Sequence, residues 1–282
     1  MEEYFQVSAM EPYVSRERWE GMASRVEFGT RLLLELLGDA GALGTFFVLC
    51  WIADRYPVLV REIAAAGHEV ASHGYGHERI TQLSPLQFRE SVRTSRIILE
   101  QLIGAEVVGY RAPSFSIVRG GEWALDVLLE EGYLYDSSLY PVTRSGYGYA
   151  GGARDPHRLV RGAGTLSEFP PATLEIAGAV LPAGGGAYFR HLPYQVVERA
   201  FRSAASRGAP ATFYIHPWEL DPQQPRISVP FKTQLRHYGG LHRTVPRIRR
   251  LLQRFRFQTI AATLHSMDGT TRLEDAGLSP AG

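Results

Sequence analysis

Three short stretches hold side chains whose types and spacing could do hydrolytic chemistry. In Ser72-His73-Gly74-Tyr75-Gly76-His77 two imidazoles stand four residues apart. If the chain turns into helix there, both project from one face and can grip a single divalent cation. The alternative is a pair of histidines capping or packing in a glycine-rich loop. Two neutral imidazoles need an anionic third ligand to hold a catalytic metal, with positions left open for water and substrate. Glu2 and Glu3 are the candidates, because they sit where a first barrel strand would end. Two glutamates so placed could equally be solvated.

The second stretch, Gly109-Tyr110-Arg111-Ala112-Pro113-Ser114-Phe115, combines a strand end, a fixed cation and a proline-stiffened turn. A guanidinium there can orient a carboxylate through two parallel hydrogen bonds, and the turn amides can point at a developing oxyanion. An ordinary salt bridge is the competing reading. In the third, Tyr214-Ile215-His216-Pro217-Trp218, a histidine follows an apolar run beside an aromatic wall. It suits a general acid if a carboxylate favours its protonated form. Asp136, in Tyr135-Asp136-Ser137-Ser138, is the expected partner. Trp218, Tyr140 and Phe115 could offer flat faces to sugar rings, or simply pack in the core.

Alternating strand and helix patterns would position these groups. Leu33, Leu36 and Leu37 have helical spacing, Thr45 to Leu49 is β-branched and aromatic, and a helix over 54–66 stops at Gly67. A short strand over 68–72 ends at His73. Ser84-Pro85 opens a long helix that Gly104 closes. Val107 to Tyr110 reads as a strand, Trp123 to Glu131 as a helix, and Ala211 to Ile215 as a buried strand. Repeated strand–helix units predict a parallel sheet closed or nearly closed into a barrel, with chemistry at the C-terminal strand ends. His73, Arg111 and His216 each follow such a run. The segment 141–192, rich in glycine, proline and aromatics, predicts loops with short strands. Val245, Ile248, Leu251, Leu252 and Phe255 mark a last amphipathic helix, its arginines a solvated face.

Bulk composition removes several function classes. The 282 residues, 45% hydrophobic, suffice for a large α/β core. With 30 basic and 29 acidic side chains, nothing draws the whole chain to nucleic acid. Cys50 is the one cysteine, excluding a disulfide framework, and it sits in an apolar run that reads as core. No apolar run reaches the length of a membrane span, and the N-terminus lacks a signal-peptide pattern.

Taken together and in this order, the segments resemble the polysaccharide deacetylase (NodB-homology, carbohydrate esterase 4-like) family. The resemblance covers roughly 1–220 and rests on His73 to His77, Arg111-Ala112-Pro113-Ser114-Phe115, Asp136-Ser137 and Ile215-His216, with Thr45-Phe46-Phe47 and Gly67-His68-Glu69 framing the metal motif. More narrowly, Glu3-Tyr4-Phe5-Gln6-Val7, His216-Pro217-Trp218-Glu219 and His237-Tyr238-Gly239-Gly240-Leu241 look like the subgroup found with bacterial exopolysaccharide and exosortase (PEP-CTERM) loci.

The resemblance implies a distorted (β/α) barrel with a deacetylase domain over 1–221, a subgroup-specific extension over 222–265 packed on it, and a mobile tail over 266–282. It places Glu2 at the metal-ligand position with Glu3 as fallback. It also puts the family's leading aspartate, the expected catalytic base, one residue before Met1, so that the first strand and that base are expected outside this chain. The cofactor implied is one divalent ion, zinc first among transition metals. Arg111 would hold the base, the backbone amide near Phe115 would help bind the oxyanion, His216 would protonate the departing amine, and Asp136 would orient His216. The implied partner is an N-acetylated polysaccharide or oligosaccharide, met by a cytoplasmic enzyme acting in exopolysaccharide biosynthesis. Two other readings stay open: a non-catalytic carbohydrate-binding relative, and a hydrolase of C–N bonds in small cyclic amides.

Overall fold

The computed structural model describes residues 1–144, 146–270 and 275–276. Helix α1 (Val26–Asp39) leads into β1 (Thr45–Val48), the first strand along the chain, and α2 (Cys50–Arg55) follows. The helix expected over 54–66 is divided. Tyr56 leaves the helical region because the residue before a proline disfavours it, and α3 (Pro57–Ala65) restarts with Pro57 in its first turn.

Strand β2 (Glu69–Ser72) pairs in parallel with β1, from Thr45 opposite Glu69 to Val48 opposite Ser72. Helix α4 (Pro85–Ile103) is fixed at both ends. The Ser84 hydroxyl accepts from Gln87 N while Gln87 Oε1 accepts from Ser84 N, and Gly104 terminates the helix at φ 67°. Strands β3 (Gly109–Tyr110) and β4 (Tyr135–Asp136) continue the parallel ladder, with α5 (Trp123–Glu130) between them.

Two hairpins follow, β5 (His157–Arg161) with β6 (Gly164–Glu168), and β7 (Thr173–Ile176) with β8 (Ala179–Pro182). Helices α6 (Gly186–His191), α7 (Tyr194–Ser206), α8 (Phe231–Tyr238), α9 (Thr244–Arg254) and α10 (Ile260–Thr270) come next, and β9 (Asp275–Ala276) pairs with β5. The main sheet runs β1-β2-β3-β4-β6-β5-β9, mixed in direction, with β1 at one edge. The α/β class expected from the sequence is the class observed.

The main core lies between this sheet and its helices, and includes Val48, Leu49, Phe88, Val92, Leu99 and Leu128, all essentially buried. A second cluster gathers Tyr4, Phe5, Met10, Trp19, Trp218 and Tyr238. Ala211 to Ile215 departs from the buried strand expected there. It is half-buried and pairs with its neighbours through isolated parallel bridges, Pro171 to Thr212 and Gly185 to Tyr214. Of the tail expected over 266–282, residues 266–270 continue α10 and 275–276 form β9, while 271–274 and 277–282 lie outside the described residues. Among the described residues no helix is long and apolar enough to cross a membrane.

A candidate metal centre beside a buried acid–base relay

The first residues of the chain divide their tasks one by one. Met1 lies against the end of β1, its amino group donating to the Phe47 carbonyl and its own carbonyl accepting from Leu49 N at 3.3 Å. That contact sets Glu2 over the strand ends, 2% exposed. Glu3 faces the other way. Its carboxylate accepts from the Ser24 hydroxyl, from Arg25 N at 3.0 Å and from Val26 N at 3.2 Å, capping the positive end of α1. Glu3 is therefore spent on the helix, and the fallback ligand role is corrected.

His73 follows β2, its amide donating to Val48 O at 3.0 Å. Residues 73–77 are not helical. Gly74 at φ 76° and His77 at φ 59° bend the chain through the left-handed region, and Cys50 N and Trp51 N pin it by donating to Gly74 O and Tyr75 O. A turn, not a shared helix face, brings the two imidazoles together.

One ligand atom from each of Glu2, His73 and His77 lies within 4.8 Å of the others. His73 Nδ1 is 2.6 Å from the Arg111 carbonyl oxygen. That oxygen can only accept, so Nδ1 carries the hydrogen and Nε2 presents a lone pair toward Glu2 Oε2, 3.4 Å away. Burial holds the His73 ring down at about 4, hence neutral, while Glu2 lies well below the usual carboxylate range because the surrounding histidines outweigh the burial that opposes its ionisation. Glu2 Oε2 is buried, with His77 Nε2 at 2.9 Å and His73 Nε2 at 3.4 Å and no other polar partner among the described residues. A buried carboxylate with two imidazole nitrogens turned toward it is a donor set that a divalent cation satisfies, so the residues fit the expected metal.

His216 approaches from the opposite wall, its Nε2 3.7 Å from Glu2 Oε1. Its orienting partner is Glu219, and the expected pairing with Asp136 is corrected. His216 Nδ1 lies 2.6 Å from Glu219 Oε1, within a tight turn over Pro217–Leu220. The far oxygen of Glu219 accepts from Arg190 Nε at 2.7 Å, and Arg190 also donates to the carbonyls of His237, Gly239 and Arg236. Burial opposes ionisation of Glu219, but Arg190 and His216 more than offset it and hold the group at about 2. Trp218 is sandwiched behind this relay, stacked on His216 at 5.4 Å and on His237 at 4.2 Å between ring centres. Helix α1 seats the turn. A Cβ on Gly29 would come within 2.3 Å of Pro217 O, so the helix and the His216 turn approach only because position 29 is glycine.

Asp136 belongs to a different network. It is fully buried, accepts from the Ser138 hydroxyl at 2.6 Å and from Ser138 N at 3.2 Å, and interacts with the buried carboxyl of Glu168. Burial pushes Asp136 up to about 6, and burial together with the facing Asp136 charge pushes Glu168 well above the usual range.

Arg111 does not clamp a carboxylate among the described residues. It donates through Nε to Ser137 O at 3.0 Å and through Nη2 to the Ser137 hydroxyl at 2.6 Å, its guanidinium 4.1 Å from the centre of the Phe47 ring. Burial lowers it to about 10. The Phe115 amide is likewise engaged, donating to Ala112 O at 3.1 Å, which corrects the oxyanion role expected for it. Ser114 and Phe115 both adopt left-handed backbone, φ 56° and 53°, and L residues hold that conformation only when their surroundings enforce it. The Phe115 ring lines the site cavity, whereas Tyr140, expected to line a sugar groove, is wholly buried behind Phe115 and Tyr214. The cavity, about 1100 Å³, takes in Glu2, His73, His77, Arg111 and His216.

A sequence model of the family described as polysaccharide deacetylase matches residues 23–120, and one described as domain of unknown function (DUF3473) matches 137–265. The chain is 35% identical over 118 residues to a peptidoglycan deacetylase-like protein of Gibberella zeae, covering 42% of this chain and 34% of that protein. It is 33% identical over 102 residues to a chitooligosaccharide deacetylase of Bradyrhizobium sp., covering 36% of this chain and 44% of that protein. These matches support the polysaccharide deacetylase family. The matched stretches span about a third to just under half the length of these curated relatives. A Mycobacterium smegmatis structure assigned to the polysaccharide deacetylases covers 90% of this chain and 82% of its own, at 22% identity and a TM-score of 0.59. The allantoinase PuuE covers 86% and 72%, at 21% identity and the same TM-score of 0.59. Both likenesses show the fold.

The polysaccharide deacetylase match ends before Glu219 and Arg190, which sequence reasoning missed. Glu219 stands three residues after His216, and the turn-forming proline between them is the signal that could have paired them. Nothing in the sequence links Arg190 to either.

Proposed function

We propose that the protein is a metal-dependent hydrolase that removes N-acetyl groups from an amino-sugar polymer, with zinc as the cation and exopolysaccharide biosynthesis as the setting. The observation that carries this reading is the convergence of Glu2, His73 and His77 on one point with His216 Nε2 facing it. A divalent cation held by those three would polarise the acetamide carbonyl and activate a water molecule. His216 donates a proton from Nε2 to the departing nitrogen, because Nδ1 is engaged by Glu219 and the ring cannot turn away. Arg190 keeps Glu219 ionised, so a carboxylate oxygen stays in place to hold His216 Nδ1. Phe115 and Tyr214, 5.0 Å apart between ring centres, give the cavity an apolar wall suited to one face of a sugar.

The names of the relatives support an N-acetylated glycan as substrate over a small cyclic amide. The test is acetate release from N-acetylglucosamine oligomers by metal-loaded protein, set against hydrolysis of small cyclic amides. The expected result is acetate from the oligomers and none with His216→Ala. Absence of acetate from the metal-loaded protein would defeat the proposal. The second reading is a carbohydrate-binding relative without turnover. Oligomer binding with metal bound and no acetate released would select it.

A further inference from the structure

The cavity carries a charge asymmetry that amide hydrolysis does not require. The chain as a whole is balanced, 30 basic against 29 acidic residues. The cavity wall is not: Arg79, Arg111, Arg144, Arg190, Lys232 and Arg236 line it against two carboxylates, Glu2 and Glu219. Those carboxylates are committed, Glu219 to Arg190 and Glu2 to the metal centre, while Arg79 is paired with Glu11 at 3.0 Å. Arg144, Lys232 and Arg236 meet no carboxylate among the described residues.

We propose that these three cations form an anion-binding subsite, and that the glycan carries a carboxylate or phosphate on a sugar beside the N-acetylated one. Arg144 is held in place from one edge, its Nε donating to the Tyr188 hydroxyl at 3.1 Å and its Nη1 to Thr143 O at 3.0 Å. Tyr188 is bonded in turn to the Tyr147 hydroxyl at 2.6 Å. The guanidinium is therefore braced by neutral groups, with no carboxylate against it among the described residues. Lys232 and Arg236 stand four residues apart on α8 and share one face of that helix. Arg144, Tyr147, Lys232 and Arg236 all line the one cavity.

The subsite adjoins the reacting centre. Tyr147 packs on the cluster of Phe115, Tyr140 and Val142, and so does Tyr214, whose ring centre is 5.8 Å from that of His216. Tyr147, beside Arg144, and Tyr214, beside the proton donor, thus belong to one aromatic cluster. Arg144, Lys232 and Arg236 are exposed, so their like charges attract an anion through a field that salt screens. The hydroxyls of Tyr147 and Tyr188 supply neutral partners for sugar hydroxyls beside the anion.

This inference rests on the proposed glycan substrate but not on turnover, so binding and acetate release are measured separately. Calorimetry on the metal-loaded protein compares a neutral N-acetylglucosamine tetramer, an oligomer alternating N-acetylglucosamine with glucuronate, and an N-acetylglucosamine oligomer bearing a phosphate. One of the two anionic ligands is expected to bind at least about tenfold tighter than the neutral one, with the advantage fading as salt rises. Which of them gains identifies carboxylate or phosphate as the source. Arg144→Gln and Arg236→Gln should each remove about tenfold of that preference and leave affinity for the neutral tetramer unchanged. Equal affinity for all three ligands, or a preference that survives both substitutions, overturns the subsite. Charge-dependent binding with no acetate from any ligand upholds the subsite and defeats the hydrolase reading instead.

Discussion

Replacing Glu219 by glutamine tests the relay behind His216 most sharply. The wild-type carboxylate accepts from His216 Nδ1 at 2.6 Å and from Arg190 Nε at 2.7 Å, and both Glu219 and Arg190 are almost wholly buried. An amide has one acceptor oxygen, so glutamine can satisfy one of those donors but turns an NH2 group toward the other. It also strips the counter-charge from a buried guanidinium. Two independent routes give the size of the effect. Depression of Glu219 from 4.5 to about 2 corresponds to about 3 kcal/mol of stability. Breaking a buried ion pair typically costs about 3–5 kcal/mol.

The sign follows from the same values. A carboxyl held low contributes its stability above the unfolded value of 4.5 and loses it as pH falls toward about 2. At neutral pH, Glu219→Gln should therefore be less stable than wild type by about 3 kcal/mol in urea titration, and the gap should close as the pH drops below 4.5. With His216 no longer held, kcat for acetate release should fall by about 100-fold, with KM within about threefold. A variant that keeps wild-type kcat while folded and metal-loaded would refute the relay.

Gly29→Ala would ordinarily favour a helix by about 1 kcal/mol, but its Cβ would lie 2.3 Å from Pro217 O, so thermal unfolding should instead show a loss of about 1–3 kcal/mol and kcat should drop as the His216 turn is displaced. For the buried carboxyls the sign is opposite to that of Glu219. Asp136 is raised from 3.8 to about 6, so the native state holds a proton that the unfolded chain has released, and stability should decline as pH rises from about 4 to about 6. Asp136→Asn should flatten that decline, which denaturant titration across this range would measure.

Much of the site is legible because its parts follow apolar runs directly. His73, Arg111 and His216 were each readable as residues at the end of an apolar run, where α/β folds gather their chemistry. Partners fixed by tertiary contact were not legible. Asp136 looked like the natural companion of His216, yet two buried carboxyls turned toward each other, and the nearer Glu219 took its place. Glu2 and Glu3 are adjacent and chemically identical, and only the position of the start of α1 determines that Glu3 caps it while Glu2 faces the histidines. The His73–His77 pair was read through helical spacing, whereas a left-handed turn performs the same convergence. Helix α10 is hard to read from sequence because Ile260, Leu264 and Met267 make only a thin apolar stripe among alanines and polar residues.

The central claim is that Glu2, His73 and His77 hold one divalent cation, and metal content after dialysis against zinc tests it directly. About one tightly held ion per chain is expected in the wild type, in Glu3→Gln and in His216→Ala, and none in His73→Ala or His77→Ala. Equal metal content in the wild type and both of those histidine variants would contradict it.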